Sequence, residues 1–311
     1  MRKWLLVLLL APLFSFPDHA QTNPLWHTQK VKNYLPHMTW PEVEDLLSRT
    51  DMVIMVIPAI EQHGPQLPIG TDYFSGEELA KLIAQKTDVL VAPVLLPGIS
   101  PYHMEFPGTI SLSADTVQRV YFEAAQSLIH HGFRRFLIFP SHAGNQNVSR
   151  YILDRINQET PGIAVELNDA AAPFFQEHER PEVAQFDRHA GVGETSEGLY
   201  LFPTLVDMSK AGKNEVALPD HLQKTLPQLA AGDATTARVF LAEALKPKET
   251  GKHTSTREMT KTGVWSERDT REASAERGRQ DSEAFVNASV QFIERWKTLN
   301  PLKPLAERRA Y

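Results

Sequence analysis

The chain has 311 residues, of which 42% are hydrophobic and 23% are charged, and these fractions exclude disordered, collagen-like and coiled-coil proteins. Its net charge of −6 is the reverse of the basic excess of a nucleic-acid-binding protein, so no nucleic acid is expected as a partner. Because cysteine is absent, disulfides and thiolate sites are excluded, and any metal ion must be held by His, Asp and Glu.

The N-terminus has the pattern of a secretory signal peptide. Arg2 and Lys3 precede an apolar run over residues 4–16, after which the chain becomes polar. The run is too short for a comfortable transmembrane span. We therefore predict a signal peptide over residues 1–20, export to a bacterial periplasm, and no stable membrane insertion once the signal is cleaved. A retained interfacial anchor is the alternative.

Apolar residues then recur in two patterns. Spacings of three or four residues favour helices, and short unbroken apolar runs favour buried strands. Helices are predicted over residues 39–47, 74–86, 115–131, 146–157, 199–205 and 271–296. Strands are predicted over residues 52–57, 89–96, 136–139 and 163–167. This alternation indicates an α/β fold, a three-layer α/β/α sandwich with a mainly parallel central sheet. Residues 21–311 are expected to form one domain, with an irregular arm around 209–260 that contains a helix near 233–245.

Polar side chains follow the first predicted strand. Glu61 and His63 are two positions apart, so an extended backbone projects both side chains in the same direction. Asp72 follows at the start of the next predicted helix. Two carboxylates and an imidazole at the carboxyl edge of a parallel sheet can hold a divalent cation. The alternatives are a solvated loop for Glu61 and His63 and a helix N-cap for Asp72.

A second cluster follows the strand predicted over residues 136–139. His142 lies there among small residues, close to Asn145. Small neighbours let the backbone approach closely while the imidazole points into a cleft. Capping of the next helix by Asn145, with His142 as an ordinary turn residue, would explain the same pattern.

A third cluster contains His189 and Glu194, which are candidates for an acid/base group and a metal ligand. Helix capping is again the alternative. Thr195 or Ser196 could begin a helix, with Glu194 stabilised near its positive end.

Three segments in the same order resemble motifs of the creatininase (creatinine amidohydrolase) family. They are EQHGPQLPIGTD at 61–72, FPGTIS at 106–111 and HAGVGETS at 189–196. The resemblance extends over about residues 37–297. It implies an α/β/α sandwich with a two-metal site, commonly in a homo-oligomer. It also implies hydrolysis of amide-type C–N bonds in small cyclic amides, formamides or related compounds.

The resemblance also assigns roles by matching position. The implied metal ligands are Glu61, His63, Asp72, His142 and Glu194. Asp72 would bridge two divalent ions, zinc and/or manganese, with iron as an alternative. His189 matches the histidine proposed to pass a proton, and His103 and Asn145 are weaker candidates for contact with substrate. The name-giving enzyme has a ligand glutamate where this chain has Gly144, and many relatives have a glutamate at the position of Val192.

We therefore expect a metal-dependent amidohydrolase that uses water activated by two metal ions. Two alternatives stay open. A lactone or ester hydrolase could use the same metal site, and an exported binding protein could retain the fold without turnover.

Overall fold

The computed structural model describes residues 29–175, 187–217, 223–231, 233–244 and 255–309. The predicted signal peptide at residues 1–20 lies outside these ranges. Contacts divide the chain into the units Met1–Lys30 and Val31–Tyr311, and every described helix and strand belongs to the second unit. In the described ranges, no helix combines the length and the apolar character needed to cross a bilayer.

Four parallel strands form the main sheet, in the order β2-β1-β3-β4. They are β1 Met52–Ile57, β2 Leu90–Val91, β3 Arg135–Pro140 and β4 Ile163–Glu166. All residues of β1 and β3 are buried, as expected for central strands covered on both faces. These two strands pair along their whole length, so their carboxyl ends lie side by side where Ile57 is opposite Pro140.

Helices and a small second sheet complete the fold. The helices are α1 Trp40–Leu47, α2 Thr71–Lys86, α3 Ala114–His131, α4 Gln146–Glu159, α5 Leu167–Ala171, α6 Val192–Leu201, α7 Leu226–Ala230, α8 Ala234–Ala244, α9 Thr256–Met259, α10 Ala275–Leu299 and α11 Leu305–Arg309. The second sheet pairs β5 Asp187–His189 antiparallel with β6 Trp265–Ser266.

The main sheet separates two hydrophobic clusters. On one face, Val53 and Met55 of β1 pack with residues of α3 and α4, including Tyr121. On the other face, Ile54 and Val56 pack with residues of α2 and α10. Successive strand residues point to opposite faces, so one apolar run supplies both clusters. The predicted three-layer sandwich with a parallel sheet is confirmed.

The predicted ends of two helices are also found. Thr39 and Glu42 form a capping box at the start of α1, which supplies hydrogen-bond acceptors for N–H groups that the helix leaves free. Gly132 ends α3 with φ 111°, a left-handed conformation that glycine adopts without steric cost.

Several predicted boundaries are wrong. The strand expected at 89–96 is limited to Leu90–Val91, and the helix expected at 199–205 is α6, which begins at Val192. Helix α6 begins early because the Asp187 carboxylate, five and six positions before them, accepts hydrogen bonds from the Val192 and Gly193 N–H groups. Two other helices differ from their predicted bounds. Helix α2 begins at Thr71 instead of residue 74, and the last long helix is Ala275–Leu299 instead of 271–296. Strands β5 and β6 were not predicted.

The region expected to be an irregular arm contains α7, α8 and α9. Residues of these helices form a separate small hydrophobic cluster with Trp265. The helix expected near 233–245 is α8, Ala234–Ala244. At the end of the region, the Thr256 hydroxyl donates to the Tyr102 carbonyl at 2.7 Å, and the Ser255 hydroxyl donates to Glu105 at 2.6 Å. The region is therefore tied to the loop that carries His103.

Candidate metal centre

The candidate site lies at the carboxyl ends of β1 and β3. Asn145 holds this edge together, because its amide nitrogen donates to the carbonyls of Ile57 at 3.0 Å and Pro58 at 2.9 Å. Its amide oxygen accepts a hydrogen bond from the Ile99 N–H at 3.0 Å. Asn145 is fully buried, and both ends of its amide are occupied by backbone groups. Asn145 therefore has a structural role at this edge.

Glu61, His63 and Asp72 converge at this edge, and all three are buried. The Nδ1 atom of His63 lies 3.0 Å from the Glu61 carbonyl oxygen, so it carries the proton and donates. In the neutral form of this ring, which is the form that binds a metal ion, the Nε2 atom has a free electron pair and lies 3.4 Å from the Asp72 Oδ1. Zinc-binding histidines are commonly oriented by such a hydrogen bond from the other ring nitrogen.

His142 contacts both carboxylates. Its Nδ1 lies 3.2 Å from the Asp72 Oδ2, and its Nε2 lies 3.4 Å from the Glu61 Oε2 and 2.7 Å from the Tyr102 hydroxyl. The two oxygens of Asp72 therefore face different imidazoles, one belonging to His63 and one to His142. This arrangement suits a carboxylate that bridges two cations.

Glu194 reaches the cluster from the first turn of α6. Its Oε2 lies 3.7 Å from the His63 Nε2 and also accepts a hydrogen bond from the Ala190 N–H at 2.6 Å. Glu194 thus lies both in the first turn of α6 and beside the imidazole. Ala190 has φ 52°, a strained conformation for a residue with a side chain, and such strain is concentrated at functional sites.

His189 and His103 form a stacked pair on the other side of Glu61. Their ring centres are 4.3 Å apart, with 23° between the ring planes. The His189 Nδ1 lies 3.6 Å and the His103 Nε2 lies 3.5 Å from the same Glu61 Oε1. Both rings contact the side chain of Gln62, a residue that the sequence analysis did not single out.

The buried polar atoms of this cluster fit a divalent cation. Both Glu61 oxygens, the His63 Nε2 and the Asp72 Oδ2 are buried without a hydrogen-bond partner. Leaving such atoms unpaired costs about 1–3 kcal/mol each, and a bound cation would satisfy them. In each of three groups of side chains, the possible metal-ligand atoms lie within 4.8 Å of one another. The groups are Glu61 with His63 and Asp72, Glu61 with His103 and His189, and His63 with His189 and Glu194. In the described part of the chain, His142 belongs to none of these groups, although it contacts two carboxylates.

Burial and mutual charge control the protonation of the cluster. Burial raises the pKa of Glu61 to about 7, and it also raises the pKa of Glu194 to about 7. Burial opposes the positive charge on His63, yet the Asp72 carboxylate raises its pKa to about 10. His142 behaves similarly, since burial opposes its charge while Glu61 and Asp72 raise its pKa to about 9. At these pKa values, His63 and His142 are imidazolium ions at pH 7 in the metal-free protein. Their positive charges balance the buried carboxylates.

The remaining imidazoles and Asp72 show the same competition. Burial would raise the pKa of the Asp72 carboxyl, but the charges of His63 and His142 hold it well below its usual range. Burial, followed by repulsion from neighbouring imidazoles, lowers the pKa of His103 and of His189 well below the usual value. The stacked pair is therefore neutral at pH 7.

The sequence analysis missed the role of Tyr102. A Cβ atom at Gly144 would overlap the Tyr102 hydroxyl and the His142 Nε2, so the space at this position is already filled. The tyrosine hydroxyl thus occupies the place where a longer side chain at position 144 would begin. The glycine at position 144 was the available sequence signal that another group fills this space. It did not indicate that the group is Tyr102, which lies 42 positions earlier in the chain. Val192, the other departure, is fully buried at the start of α6.

Comparison with known proteins places these residues in one family. The family described as "Creatininase: Creatinine amidohydrolase" matches residues 36–293. The chain is 27% identical over 200 residues to the 3-dehydro-scyllo-inosose hydrolase of Thermotoga maritima, which covers 61% of this chain and 64% of that protein. It is 26% identical over 221 residues to the creatinine amidohydrolase of Pseudomonas putida, which covers 62% of this chain and 78% of that enzyme.

Solved structures support the fold. A crystal structure of creatinine amidohydrolase covers 87% of this chain and 98% of its own, with a TM-score of 0.61 and 21% identity. A structure described as "Creatininase Mn" covers 87% of this chain and 99% of its own, with a TM-score of 0.60 and 22% identity. With the family match across most of its length and the same α/β architecture, this chain belongs to the creatininase family of hydrolases.

Proposed function

We propose that this protein is a two-metal amidohydrolase that cleaves a C–N bond in a small cyclic amide, a formamide or a related compound. The observation that carries the proposal is a set of four buried atoms on Glu61, His63 and Asp72 that could bind a metal ion and that have no hydrogen-bond partner. His142 and Glu194 complete the proposed ligand set, because each lies within 4 Å of one of these residues.

The residues of the chain would divide the work as follows. When bound, divalent ions supply electrophilic activation of the substrate carbonyl and of the attacking water. Asp72, with one oxygen toward His63 and the other toward His142, would hold both ions in place. His189 is neutral at pH 7, so it can accept the proton that the water loses and donate it to the departing nitrogen as the C–N bond breaks.

The substrate class is proposed from the family and from its named relatives. The match to a creatinine amidohydrolase supports a small amide. The aligned segment covers less than two thirds of the T. maritima hydrolase, and it covers 61% of a mycofactocin precursor peptide peptidase from Mycolicibacterium smegmatis that is 28% identical over 165 residues. Because of these two relatives, the substrates to be tested must also include a cyclic polyol derivative and a peptide.

The test combines metal analysis with a substrate panel. Elemental analysis of the purified protein is expected to give two divalent ions per chain, zinc and/or manganese, and removal by a chelator is expected to abolish activity. Activity is then measured on lactams and formamides, with the matching lactones, short peptides and a cyclic polyol derivative as comparison. Faster hydrolysis of the lactones would favour an ester hydrolase, and ligand binding without turnover would favour a binding protein.

A matched variant tests the bridging role. Asp72→Asn removes one ligand oxygen without changing the size of the side chain, and it is expected to reduce the metal content to one ion or none. Asp115→Asn makes the same change at an exposed position in the first turn of α3 and serves as the control. Two ions per chain in Asp72→Asn would contradict the bridging role.

Two further proposals accompany this function. Residues 1–20 are proposed to direct export, and the enzyme is proposed to act as a homo-oligomer. N-terminal sequencing of protein recovered from a periplasmic extract, together with light scattering, checks both.

A further inference from the structure

Gln62 lies between two proposed metal ligands, and its side chain has a fixed orientation. Its Oε1 accepts a hydrogen bond from the Gly64 N–H at 3.0 Å, and its Nε2 donates to the Gly263 carbonyl at 3.1 Å. An N–H group can only donate and a carbonyl can only accept. These two backbone contacts therefore identify which end of the amide carries the hydrogens.

The same Nε2 also contacts both stacked imidazoles. It lies 3.0 Å from the His103 Nδ1 and 3.0 Å from the His189 Nε2. The His189 Nε2, however, lies only 2.7 Å from the backbone carbonyl oxygen of Gln62, which accepts and cannot donate. That ring nitrogen must therefore carry a proton. Since it already donates, the second amide hydrogen of Gln62 is left for the His103 Nδ1, which must be unprotonated.

The two rings therefore present different kinds of nitrogen to Glu61, one that carries a proton and one that does not. A neutral His103 with a bare Nδ1 carries its proton on Nε2, which lies 3.5 Å from the Glu61 Oε1. This ring therefore turns an N–H toward the carboxylate, and that nitrogen cannot bind a cation. A neutral His189 with a protonated Nε2 has a bare Nδ1, which lies 3.6 Å from the same oxygen. This ring can accept a proton or bind a cation.

We propose that Gln62 is a positioning residue that selects the tautomers of the stacked pair, so that His189 presents a bare nitrogen to the cluster while His103 presents an N–H. The bare Nδ1 of His103 and the proton on the His189 Nε2 follow from the hydrogen bonds alone, whereas the use of the bare His189 Nδ1 in proton transfer rests on the proposed function. Of the two imidazoles beside Glu61, His189 is then available as a base or a metal ligand, whereas His103 presents an N–H to the carboxylate.

The test measures the tautomers directly. Long-range ¹H–¹⁵N spectra of histidine-labelled protein distinguish protonated from bare ring nitrogens, and His103→Gln and His189→Gln variants assign the signals. In the wild-type protein at pH 7, His103 is expected as the Nε2-protonated tautomer and His189 with a bare Nδ1. An Nδ1-protonated His103 in the wild-type protein would overturn the proposal, whether or not any variant folds.

Two variants then separate positioning from general structure. In Gln62→Glu the introduced carboxylate can only accept, so His103 is expected to move its proton to Nδ1. Gln66→Glu makes the same change in a buried amide of the same loop, which donates to the Ala190 carbonyl and the Thr195 hydroxyl and touches neither ring of the pair. The His103 tautomer is expected to stay unchanged in this control.

Activity provides an independent arm of the experiment. On a substrate identified by the panel, Gln62→Glu is expected to lower kcat at least tenfold with a shifted pH profile and a nearly constant KM. If the wild-type tautomers are as expected but no substrate is turned over, the proposed function fails and the tautomer assignment stands. If Gln62→Glu leaves the His103 tautomer unchanged, the positioning role fails whatever the activity.

Discussion

The hydroxyl of Tyr102 is expected to support metal binding through His142. It lies 2.7 Å from the His142 Nε2 in a buried position, and the Tyr102 ring is held by an edge-on contact with His103. Because the Thr256 hydroxyl also anchors the Tyr102 backbone, Tyr102→Phe should remove one hydroxyl and leave the ring in place. The buried ring nitrogen then loses its partner, which costs about 1–3 kcal/mol.

That cost predicts a measurable loss of metal affinity. Removing a hydrogen-bond partner of a metal-binding histidine typically weakens binding by about 10–100-fold, which is about 1.4–2.8 kcal/mol and agrees with the cost of the unpaired nitrogen. Competition with a chromogenic chelator measures the zinc dissociation constant of Tyr102→Phe against the wild-type protein. Denaturant unfolding of the metal-free forms measures the accompanying change in stability.

Tyr121→Phe is the matched control. The Tyr121 hydroxyl is buried in the same way and donates to the Val56 carbonyl at 2.8 Å, but it does not touch an imidazole. Its removal is expected to cost about 1 kcal/mol of stability without changing zinc affinity. Equal zinc affinities for Tyr102→Phe and the wild-type protein would refute the reasoning, and so would equal losses of affinity in the two variants.

Three other changes have expected outcomes. Gly144→Ala forces a methyl group against the tyrosine hydroxyl and the His142 ring, and a destabilisation of about 1–3 kcal/mol is expected in denaturant unfolding, so unchanged stability would contradict the close packing. The raised pKa values of His63 (about 10) and His142 (about 9) keep both rings protonated at pH 7 without metal, so zinc affinity is expected to rise as pH increases from 7 to 9, and a flat titration would disagree. Gly278→Ala places a methyl group against a backbone carbonyl of α6, which cannot move aside as a side chain can, so about 3 kcal/mol is expected to be lost, whereas Gly212→Ala, with open space around it, should show no steric loss.

The sequence by itself determined the layers of the fold. Unbroken apolar runs mark β1 and β3 because both faces of a central strand are covered, and apolar spacing marks α3 and α4 because one face of each helix packs on the sheet. These patterns depend on residues within a few positions of one another. The sequence also indicated that the segments after β1 and β3 meet, since parallel strands bring their carboxyl ends together.

Only the tertiary structure decided how the site is held. The contact between Gln62 and His189 joins residues 127 positions apart, and the contact between Tyr102 and His142 joins residues 40 positions apart. No local periodicity reports such pairs, because a side chain that meets its partner through folding has no fixed spacing from it in the chain. Burial then sets the protonation of the cluster, which is a property of the folded core and not of residue type.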